Sequence, residues 1–277
     1  MTLRGARRAI SYVVLALIGV VGIAPFLYLF LLSTKTRLDV LEVPPTLHLD
    51  WSTIKENYSL VIHQNGFFTF IENSLIVTVS STAVALVFGV PAAYAFSRLK
   101  FRGRDTWSTT ILSFRFMPPV AVAIPIFLMI RWVGLADSYP GLILPYVAFS
   151  LPLVIWIMIG FFDEIPRELD DAALVDGCTR TSTLVRIMLP LARPGILVAA
   201  IFGMIFIWNE FLVGLYIVHS RDRETIPIGA SSLLTVESPI QWNLAAAVGI
   251  VTVIPVLIFS LVVQRWIVRG MTAGAVK

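Results

Sequence analysis

The sequence predicts an all-α, polytopic membrane protein with six transmembrane helices in a single domain over residues 1–277. Of its 277 residues, 57% are hydrophobic and only 14% are charged, whereas soluble domains carry about a quarter charged residues. Six apolar segments reach the length of about 20 residues that a helix needs to cross a bilayer core. These segments are 10–32, 73–97, 106–130, 139–162, 195–218 and 242–263. Together they leave no room for a separate soluble domain.

The first apolar segment is expected to stay in the protein as a membrane helix. It follows a basic N-terminus and runs for 23 residues without a charge. The apolar core of a signal peptide is shorter, about 7 to 15 residues, and ends at a small-residue cleavage site. The segment is therefore predicted to be a retained first span.

The basic residues are distributed unevenly over the loops between the segments. With the N-terminus inside, fourteen Lys and Arg residues fall on the inner side and six on the outer side. Such an excess marks the cytoplasmic loops of membrane proteins. We therefore expect both termini and the charged loop 163–195 to be cytoplasmic. The net charge of +4 reflects this asymmetry and not a nucleic-acid partner.

Two places inside the predicted spans carry polar groups that lipid does not solvate. Arg115 precedes a Pro118-Pro119 break in the third span, which predicts a bent helix. Asn209 and Glu210 fall near the middle of the fifth span. Ionisable residues at this depth usually face a cavity or a partner, so these three are candidate substrate-pathway residues. Two structural alternatives stay open: Arg115 snorkels or bonds to carbonyls freed at the proline break, and Asn209 makes hydrogen bonds between helices.

The polar insert between the fourth and fifth spans predicts two short helices joined by a tight turn. Pro166 suits the first position of a helix, and the acidic residues that follow suit a helix N-terminus. Gly177 supplies the left-handed residue that ends this helix. Thr181 or Ser182 is expected to cap the second helix, and Pro190 to close it.

The first of these helices is predicted to dock against another surface. It carries the small pair Ala172 and Ala173 beside the apolar Leu169 and Val175. Small side chains let a neighbouring surface approach the helix backbone closely. A docking helix is therefore implied.

This insert resembles the cytoplasmic EAA loop of ATP-binding-cassette (ABC) importer permeases. The family pattern is Glu-Ala-Ala, three residues, Gly, nine residues, Ile, one residue, Leu-Pro, and every spacing matches. The matching residues are Asp171, Ala172, Ala173, Gly177, Ile187, Leu189 and Pro190. Asp171 stands where the family usually has Glu, and Cys178 where it usually has Ala. The resemblance implies that these motif residues, together with Asp176, couple the chain to an ATPase.

The resemblance extends to three other regions. The end of the chain, 265–277, is similar to the Gly-Leu-Thr-Ala-Gly-Ala-Val-Lys tail of the second permease of maltose-type systems, which implies a contact with the ATPase. The residues implied in that contact are Gly270, Thr272, Gly274 and Lys277. The outer loop 219–241 stands where sugar permeases of this kind carry a scoop that reaches into a binding protein, and it is expected to be exposed and to change shape. The outer loop 33–70 is predicted to hold short amphipathic helices.

The resemblance implies a type I ABC importer permease fold and a defined set of partners. These are a second permease subunit, a dimer of ABC ATPases, an extracellular solute-binding protein, membrane lipid, and a small-molecule sugar or polyol as cargo. The sequence contains no G-x-x-x-x-G-K-[ST] phosphate loop and no catalytic motif. We therefore expect no enzyme activity, no metal site and no cofactor in this chain, with ATP and Mg²⁺ bound by the partner subunits.

Other functions stay open on the sequence. The cargo of the same kind of permease is alternatively an amino acid, a metal or a phosphate ester. An ion-coupled secondary transporter needs a buried coupling carboxylate, and only Glu210 qualifies clearly. A membrane scaffold without transport activity would use the charged insert as an adaptor site.

Overall fold

The computed structural model describes residues 3–42, 47–64, 66–235 and 241–273. Over these residues the chain is helical and has no β-strand, which confirms the all-α prediction. The α-helices, in chain order, are α1 (Leu3–Ser33), α2 (Trp51–Ser59), α3 (Phe67–Arg98), α4 (Arg104–Ser113), α5 (Pro119–Trp132), α6 (Tyr139–Glu164), α7 (Glu168–Val175), α8 (Arg180–Thr183), α9 (Leu189–Leu191), α10 (Arg193–Trp208), α11 (Leu212–Ile217), α12 (Ile226–Thr235) and α13 (Trp242–Ala273).

Between four and six segments of the described chain can cross a membrane, judged by length and composition. Four are single helices, namely Ile10–Ser33 within α1, all of α3, all of α6, and Trp242–Leu261 within α13. Two more are bent pairs: Arg104–Phe116 with Pro119–Trp132 at 98°, and Arg180–Leu191 with Arg193–Trp208 at 79°. Counting each bent pair as one span gives six, the predicted number, and the two pairs overlap the third and fifth predicted spans without sharing their bounds.

The third predicted span is divided at its predicted proline break. α4 ends at Ser113, a 3₁₀ turn Phe114–Phe116 follows, and α5 begins at Pro119. A proline has no N–H to donate, and it forces the residue before it out of the helical region. Two consecutive prolines therefore stop the helix, and the predicted bend is confirmed.

The fifth predicted span, 195–218, is not one continuous helix. α10 ends at Trp208 and α11 begins only at Leu212. The carboxylate of Glu210 accepts hydrogen bonds from two N–H groups in the first turn of α11. An acidic side chain that binds the free N–H groups of a helix start favours a new helix there, so the apolar run is interrupted without a proline or a glycine.

The ends of the two helices in the polar insert also differ from the prediction. α7 begins at Glu168, two residues after Pro166. Pro190 does not close the second helix, because it lies inside α9 and the chain changes direction only at Ala192. Proline is accepted at the start of a helical turn, where its missing N–H is not needed.

The cap of the second helix is Thr179 and neither Thr181 nor Ser182. The Thr179 hydroxyl accepts a hydrogen bond from the Ser182 N–H at 3.2 Å. From α8 the backbone continues through a π-helical turn, Leu184–Met188, into α9. The predicted pair of short helices around a tight turn is therefore present, with a different start for the second.

The chain divides into two compact units. One contains Met1–Phe68 and Ala230–Pro255, and the other contains Thr69–Gly229 and Val256–Lys277.

The first unit is organised around buried Asn57 on α2. Its side-chain amide donates to the carbonyls of Ser33 and Lys35, at 2.9 Å each. Its carbonyl oxygen accepts from the amide of Asn243 at 3.0 Å. The loop 33–70 therefore contains the short helix that was predicted, fixed to the end of α1 and the start of α13.

The core of the second unit lies where α3, α6, α10 and the second half of the insert meet. Buried residues of this core include Tyr94, Val154, Met158, Phe162, Met188 and Ala199. α10 crosses α6 closely because residue 195 is glycine: a Cβ atom there would lie 2.4 Å from Cγ of Phe161.

We predict that Gly195→Ala destabilises the protein and that Gly160→Ala does not. The first substitution forces Phe161 to move, and overpacking of this kind costs about 1–3 kcal/mol. The second is a matched control on α6, because a Cβ atom at 160 meets nothing within 4 Å and Ala favours a helix by about 1 kcal/mol over Gly. Thermal unfolding in detergent should give a lower midpoint for the first variant only; equal midpoints would contradict this view of the crossing.

Candidate functional site

α7 ends in the turn that its sequence predicts. Gly177 has a φ of +84°, and its N–H donates to the carbonyl of Leu174 at 3.1 Å. The N–H of Cys178 donates to the carbonyl of Ala173 at 2.9 Å. This Schellman pattern ends a helix and requires a positive φ, which glycine adopts most easily. A Cβ atom at 177 would meet nothing within 4 Å, so the backbone and not the available space favours glycine.

A buried ion pair that sequence analysis did not identify holds α7 to the end of α3. Oδ2 of Asp170 lies 2.9 Å from Nε of Arg98, and the two side chains are only 5% and 2% exposed. The hydroxyl of Tyr94 donates to Oδ1 of Asp170 at 2.8 Å. Loss of one partner would leave an unpaired buried charge, which costs about 3–5 kcal/mol. The position of α7 is therefore set by a contact with α3 as well as by the chain connections.

Three further contacts join the last turn of α3 to the end of α6 and to the segment between α6 and α7. Arg98 donates from Nη2 to the carbonyl of Ile165 at 2.6 Å. The hydroxyl of Ser97 donates to the carboxylate of Asp163, and Arg167 donates to the carbonyl of Ser97 at 3.4 Å. The end of α3 thus binds both sides of the α6–α7 joint.

The opposite side of α7 is exposed and carries residues of the EAA-like motif. Asp171, Ala172 and Asp176 are exposed, and so are the aliphatic side chains of Leu169 (40%) and Val175 (87%). Leu169, Ala172 and Val175 are spaced by three residues and form one apolar stripe along the helix, with carboxylates beside it. We call these five residues the docking face.

The two alanines of the motif have different surroundings. Ala172 belongs to the docking face, whereas Ala173 is 3% exposed and packs within the chain. Ala173 lies three residues after the buried Asp170 and shares its inward side of the helix. Ala173 is therefore covered by this chain itself, and of the two alanines only Ala172 stays available to another protein surface.

The remaining motif residues lie on the second half of the insert. Ile187 and Leu189 are half-buried, and Pro190 is exposed. Leu184 and Met188 are buried and belong to the core that α3 and α6 share. This half of the insert is therefore fixed to the membrane helices, while α7 presents its outer side.

The three candidate pathway residues line one cleft of about 640 Å³. Arg115 comes from the turn before α5, and Asn209 and Glu210 come from the break between α10 and α11. The guanidinium carbon of Arg115 lies 4.3 Å from the centre of the Phe206 ring, a cation–π contact. The cleft is otherwise lined by Pro119, Val120, Leu153, Phe202, Ile205, Phe206, Phe211 and Leu212. Arg115 thus joins an aromatic and aliphatic surface to the polar break.

The polar groups of the cleft differ in how they are satisfied. Glu210 accepts from the N–H groups of Val213 at 2.9 Å and Gly214 at 3.2 Å. Asn209 donates to the carbonyl of Ile205 at 2.7 Å, which is a bond within its own helix and not the bond between helices considered above. Arg115 is exposed and forms no ion pair with the part of the chain that the structure describes. It is the polar group of the cleft that is most available to a ligand.

The loop after α11 is fixed at its start. The buried Asn73 of α3 donates to the carbonyls of Asp222 at 3.0 Å and Glu224 at 2.8 Å. It accepts a hydrogen bond from the hydroxyl of Tyr139 at 2.6 Å. The first part of the loop 219–241 is exposed, as expected, at His219, Arg221 and Asp222, and its backbone is also fixed to α3. α12 follows, and the next five residues lie outside the described chain.

Asp137 fixes the same end of the second unit. Its φ is +57°, a value that Asp tolerates better than most residues. Its N–H donates to the carbonyl of Ile217, and its Oδ1 accepts from the N–H groups of His219 and Ser220, each at 3.0 Å. Burial raises the pKa of the Asp137 carboxyl, but the hydrogen bonds from Ser220 and His219 outweigh burial and hold the pKa below its ordinary value.

The predicted tail contacts lie mostly beyond what the structure describes. Gly270 and Thr272 are on the last turns of α13. Gly274 and Lys277 lie outside the described residues.

Helical membrane spans, a proline-broken third span and the hairpin formed by α7 and the segment from α8 to α9 together define the fold of an ABC importer permease. A solved structure of a bacterial ABC transporter involved in the import of the acidic polysaccharide alginate has the same fold, with a TM-score of 0.79 and 23% identity over 96% of this chain and 98% of that chain. A structure of the MetNI methionine ABC transporter gives a TM-score of 0.61 and 20% identity over 73% of this chain and 94% of that one.

Residues 85–273 match the family model described as binding-protein-dependent transport system inner membrane component, and the chain belongs to this family. It is 37% identical to the trehalose transport system permease protein SugB of Mycobacterium tuberculosis over 99% of both chains. It is 31% identical to the trehalose/maltose transport system permease protein MalG of Thermococcus litoralis over 94% of both chains. The prediction of a membrane permease subunit, and not an enzyme, is thereby confirmed.

We predict that the contribution of Asp137 to stability disappears in acid. Because its folded pKa is depressed, the stabilisation is complete above the unfolded value of about 3.9 and is lost as the pH falls through the lower folded value. Asp137→Asn keeps the backbone preference and an acceptor oxygen but cannot titrate. The thermal midpoint of the parent should exceed that of Asp137→Asn at pH 6 and approach it near pH 3. A constant difference between the two proteins would contradict the assignment.

Proposed function

We propose that this chain is one of two permease subunits of an ATP-driven, binding-protein-dependent importer for a sugar or related polyol. Relatives named for trehalose, for trehalose and maltose, and for diacetylchitobiose support a carbohydrate cargo. The proposed partners are a second permease of similar fold, two copies of an ABC ATPase and an extracellular solute-binding protein. The proposed location is the cell membrane, with both termini cytoplasmic.

The docking face carries this proposal. Val175 is 87% exposed at the end of a helix whose other side is held by the buried pair of Asp170 and Arg98. A rigidly held helix with an outward apolar stripe suits a surface that must transmit force to a partner. The match of the surrounding motif to the EAA loop supports the ATPase as that partner.

The basic residues around the hairpin support its cytoplasmic orientation. Arg167, Arg180, Arg186 and Arg193 all lie in or beside it, as the positive-inside rule expects of an inner loop. The loop after α11, whose start is bound by Asp137 and Asn73, then faces outward, where the binding protein would dock. ATPase closure would move α7 and, through it, the helices that line the cleft.

The cleft of Arg115, Asn209 and Glu210 is proposed as this subunit's share of the translocation pathway. Its aromatic walls suit the apolar faces of a sugar ring. The guanidinium of Arg115 offers several N–H donors in one plane, and its stacking on Phe206 limits their orientation. Hydroxyl oxygens are suitable acceptors for such a group.

An ion-coupled transporter is the weaker alternative. Glu210 was the one clear candidate for a coupling carboxylate, but both of its oxygens accept hydrogen bonds from backbone N–H groups of α11. Both oxygens are thus engaged in binding the free N–H groups at the start of α11, which is a structural role. The structural role of Glu210 therefore favours the ATP-driven reading.

Reconstitution with the proposed partners tests the function as a whole. ATP hydrolysis by the complex in nanodiscs would be measured with the binding protein, over a panel of sugars and polyols, with amino acids and phosphate esters as controls. Stimulation by a sugar-loaded binding protein is the expected result. Uptake by this chain in membranes that lack the ATPase would overturn the proposal, and so would stimulation by an amino acid or a phosphate ester only.

We predict that Gly177→Leu leaves the protein in the membrane but uncouples it from the ATPase. Leu at a φ of +84° is strained by about 1–2 kcal/mol, and relief of that strain reshapes the end of the docking helix. Gly134→Leu is the matched control, because Gly134 has a φ of +75° and equally open space but lies outside the hairpin. Co-purification of the ATPase should fall for Gly177→Leu alone; equal co-purification for both would remove the reason for treating α7 as the joint.

We predict that Arg115→Gln slows transport more than it slows ATP hydrolysis. Loss of one hydrogen bond from a charged donor is worth about 1.5–3 kcal/mol, or at least about tenfold in cargo transport. Arg131→Gln, at the end of α5 and outside the cleft, serves as the control. Sugar uptake and binding-protein-stimulated hydrolysis would be compared in the same proteoliposomes. Unchanged uptake by Arg115→Gln would exclude Arg115 from the pathway.

A further inference from the structure

α3 carries hydrogen-bonding clusters near both of its ends, and both clusters bind segments distant in the sequence. Between Asn73 and Arg98 the helix is continuous and rises about 38 Å at about 1.5 Å per residue. This length exceeds the hydrocarbon thickness of a bilayer, about 30 Å. The two clusters therefore lie on opposite sides of the membrane core.

The cluster at the hairpin end holds the docking helix. Tyr94 and Arg98 both contact the carboxylate of Asp170, and Arg98 also donates to the carbonyl of Ile165. All of these side chains are buried. We call Tyr94, Arg98 and Asp170 the hairpin clamp. Motion of α7 without α3 would separate an ion pair in a place that water does not reach.

The cluster at the other end holds the loop that follows α11. Asn73 donates to the carbonyls of Asp222 and Glu224, and the hydroxyl of Ser74 accepts from the N–H of Ile226 at 2.8 Å. Asn73 and Ser74 are 1% and 2% exposed. We call these two residues the loop clamp. The clamp fixes the loop through its backbone, so the loop must follow the start of α3.

The body of α3 is supported along α6 between the clamps. Gly89 lets the two helices approach, because a Cβ atom there would lie 2.7 Å from Cγ1 of Val154. The rings of Tyr94 and Phe162 meet edge to face at 5.6 Å between centroids. The helix continues through Pro91 without a break. A continuous helix that packs against a neighbour transmits displacement along its length better than the bent pair of α4 and α5 would.

We propose that α3 is a strut that carries ATP-driven motion of the docking helix to the loop over residues 220–226. The inference rests on the proposed function and adds a route within this subunit. Tyr94, Arg98, Asp170, Asn73 and Ser74 are then positioning residues: they contact neither ATP nor cargo. When α7 moves, the hairpin clamp moves α3 with it, and the loop clamp makes the loop over residues 220–226 follow α3.

The test follows the outer loop in the reconstituted complex. The chain has a single cysteine, so Cys178→Ser with Asp222→Cys places one thiol on the exposed side chain position of the clamped loop. Its rate of labelling by a membrane-impermeant maleimide would be measured without nucleotide and with a non-hydrolysable ATP analogue. The parent should show a rate that depends on nucleotide.

Variants of each clamp are then compared in this background. Tyr94→Phe removes only a hydroxyl, and the double variant Arg98→Ala with Asp170→Ala removes both charges, so that neither is left unpaired. Asn73→Ala opens the loop clamp. Ser81→Ala is the control: Ser81 is fully buried in the middle of α3 but belongs to neither clamp. Insertion and ATPase co-purification are checked for each protein.

Loss of the nucleotide effect in the clamp variants, with ATPase bound and Ser81→Ala unchanged, is the expected result. A nucleotide effect of parental size in Tyr94→Phe and Asn73→Ala would overturn the strut while leaving the proposed function intact. A parent that binds no ATPase would instead refute the proposed function and the strut together. If the double alanine variant does not fold, Tyr94→Phe decides the question at the hairpin end.

Discussion

The buried ion pair between Arg98 and Asp170, with the hydroxyl of Tyr94 beside it, constrains the arrangement of everything around the hairpin. Two charges removed from water are stable only while they stay together. The docking helix is therefore not a flexible loop between two spans. It is attached to α6 and to the second half of the insert by the chain, and to α3 by a contact whose rupture is unfavourable.

The membrane part of the chain shows two ways of accommodating polar groups. Asn209 and Glu210 form hydrogen bonds with the backbone of α10 and α11. These bonds offset the free-energy cost of placing the two polar groups within a membrane span, and they form at the break in the fifth predicted span. Arg115 differs from them, because its guanidinium stacks on the ring of Phe206 and otherwise faces the open cleft. Asn209 and Glu210 are hydrogen-bonded to their own chain, whereas Arg115 stays open to the cleft, as its proposed role in the translocation pathway requires. This contrast separates the two kinds of residue in one cleft.

The sequence predicts the parts of the fold that depend on local chemistry. Apolar length locates the spans, Pro118-Pro119 locates the bend, and Gly177 locates the end of the docking helix. Contacts between residues far apart in the chain are harder to predict. Asp170 and Asp171 are adjacent carboxylates, and which of them points inward depends on where α7 begins and on a partner in α3. The break at Glu210 was missed because a carboxylate capping a new helix leaves the apolar run looking continuous. The fixed start of the loop after α11 was missed because its bonds to Asn73 use backbone carbonyls, which leave no signature in side-chain types.

The central claim is that the hairpin and the end of α3 move as one body when the ATPase closes. Pulsed electron paramagnetic resonance can measure the distance between the two elements. One spin label is placed at Val185, an exposed position on the hairpin, and the other at Lys100, an exposed position just beyond α3. The distance distribution between the two labels should be the same in the nucleotide-free complex and with ATP bound. A distribution that shifts when ATP binds would show that the hairpin moves independently of α3 and would contradict the account.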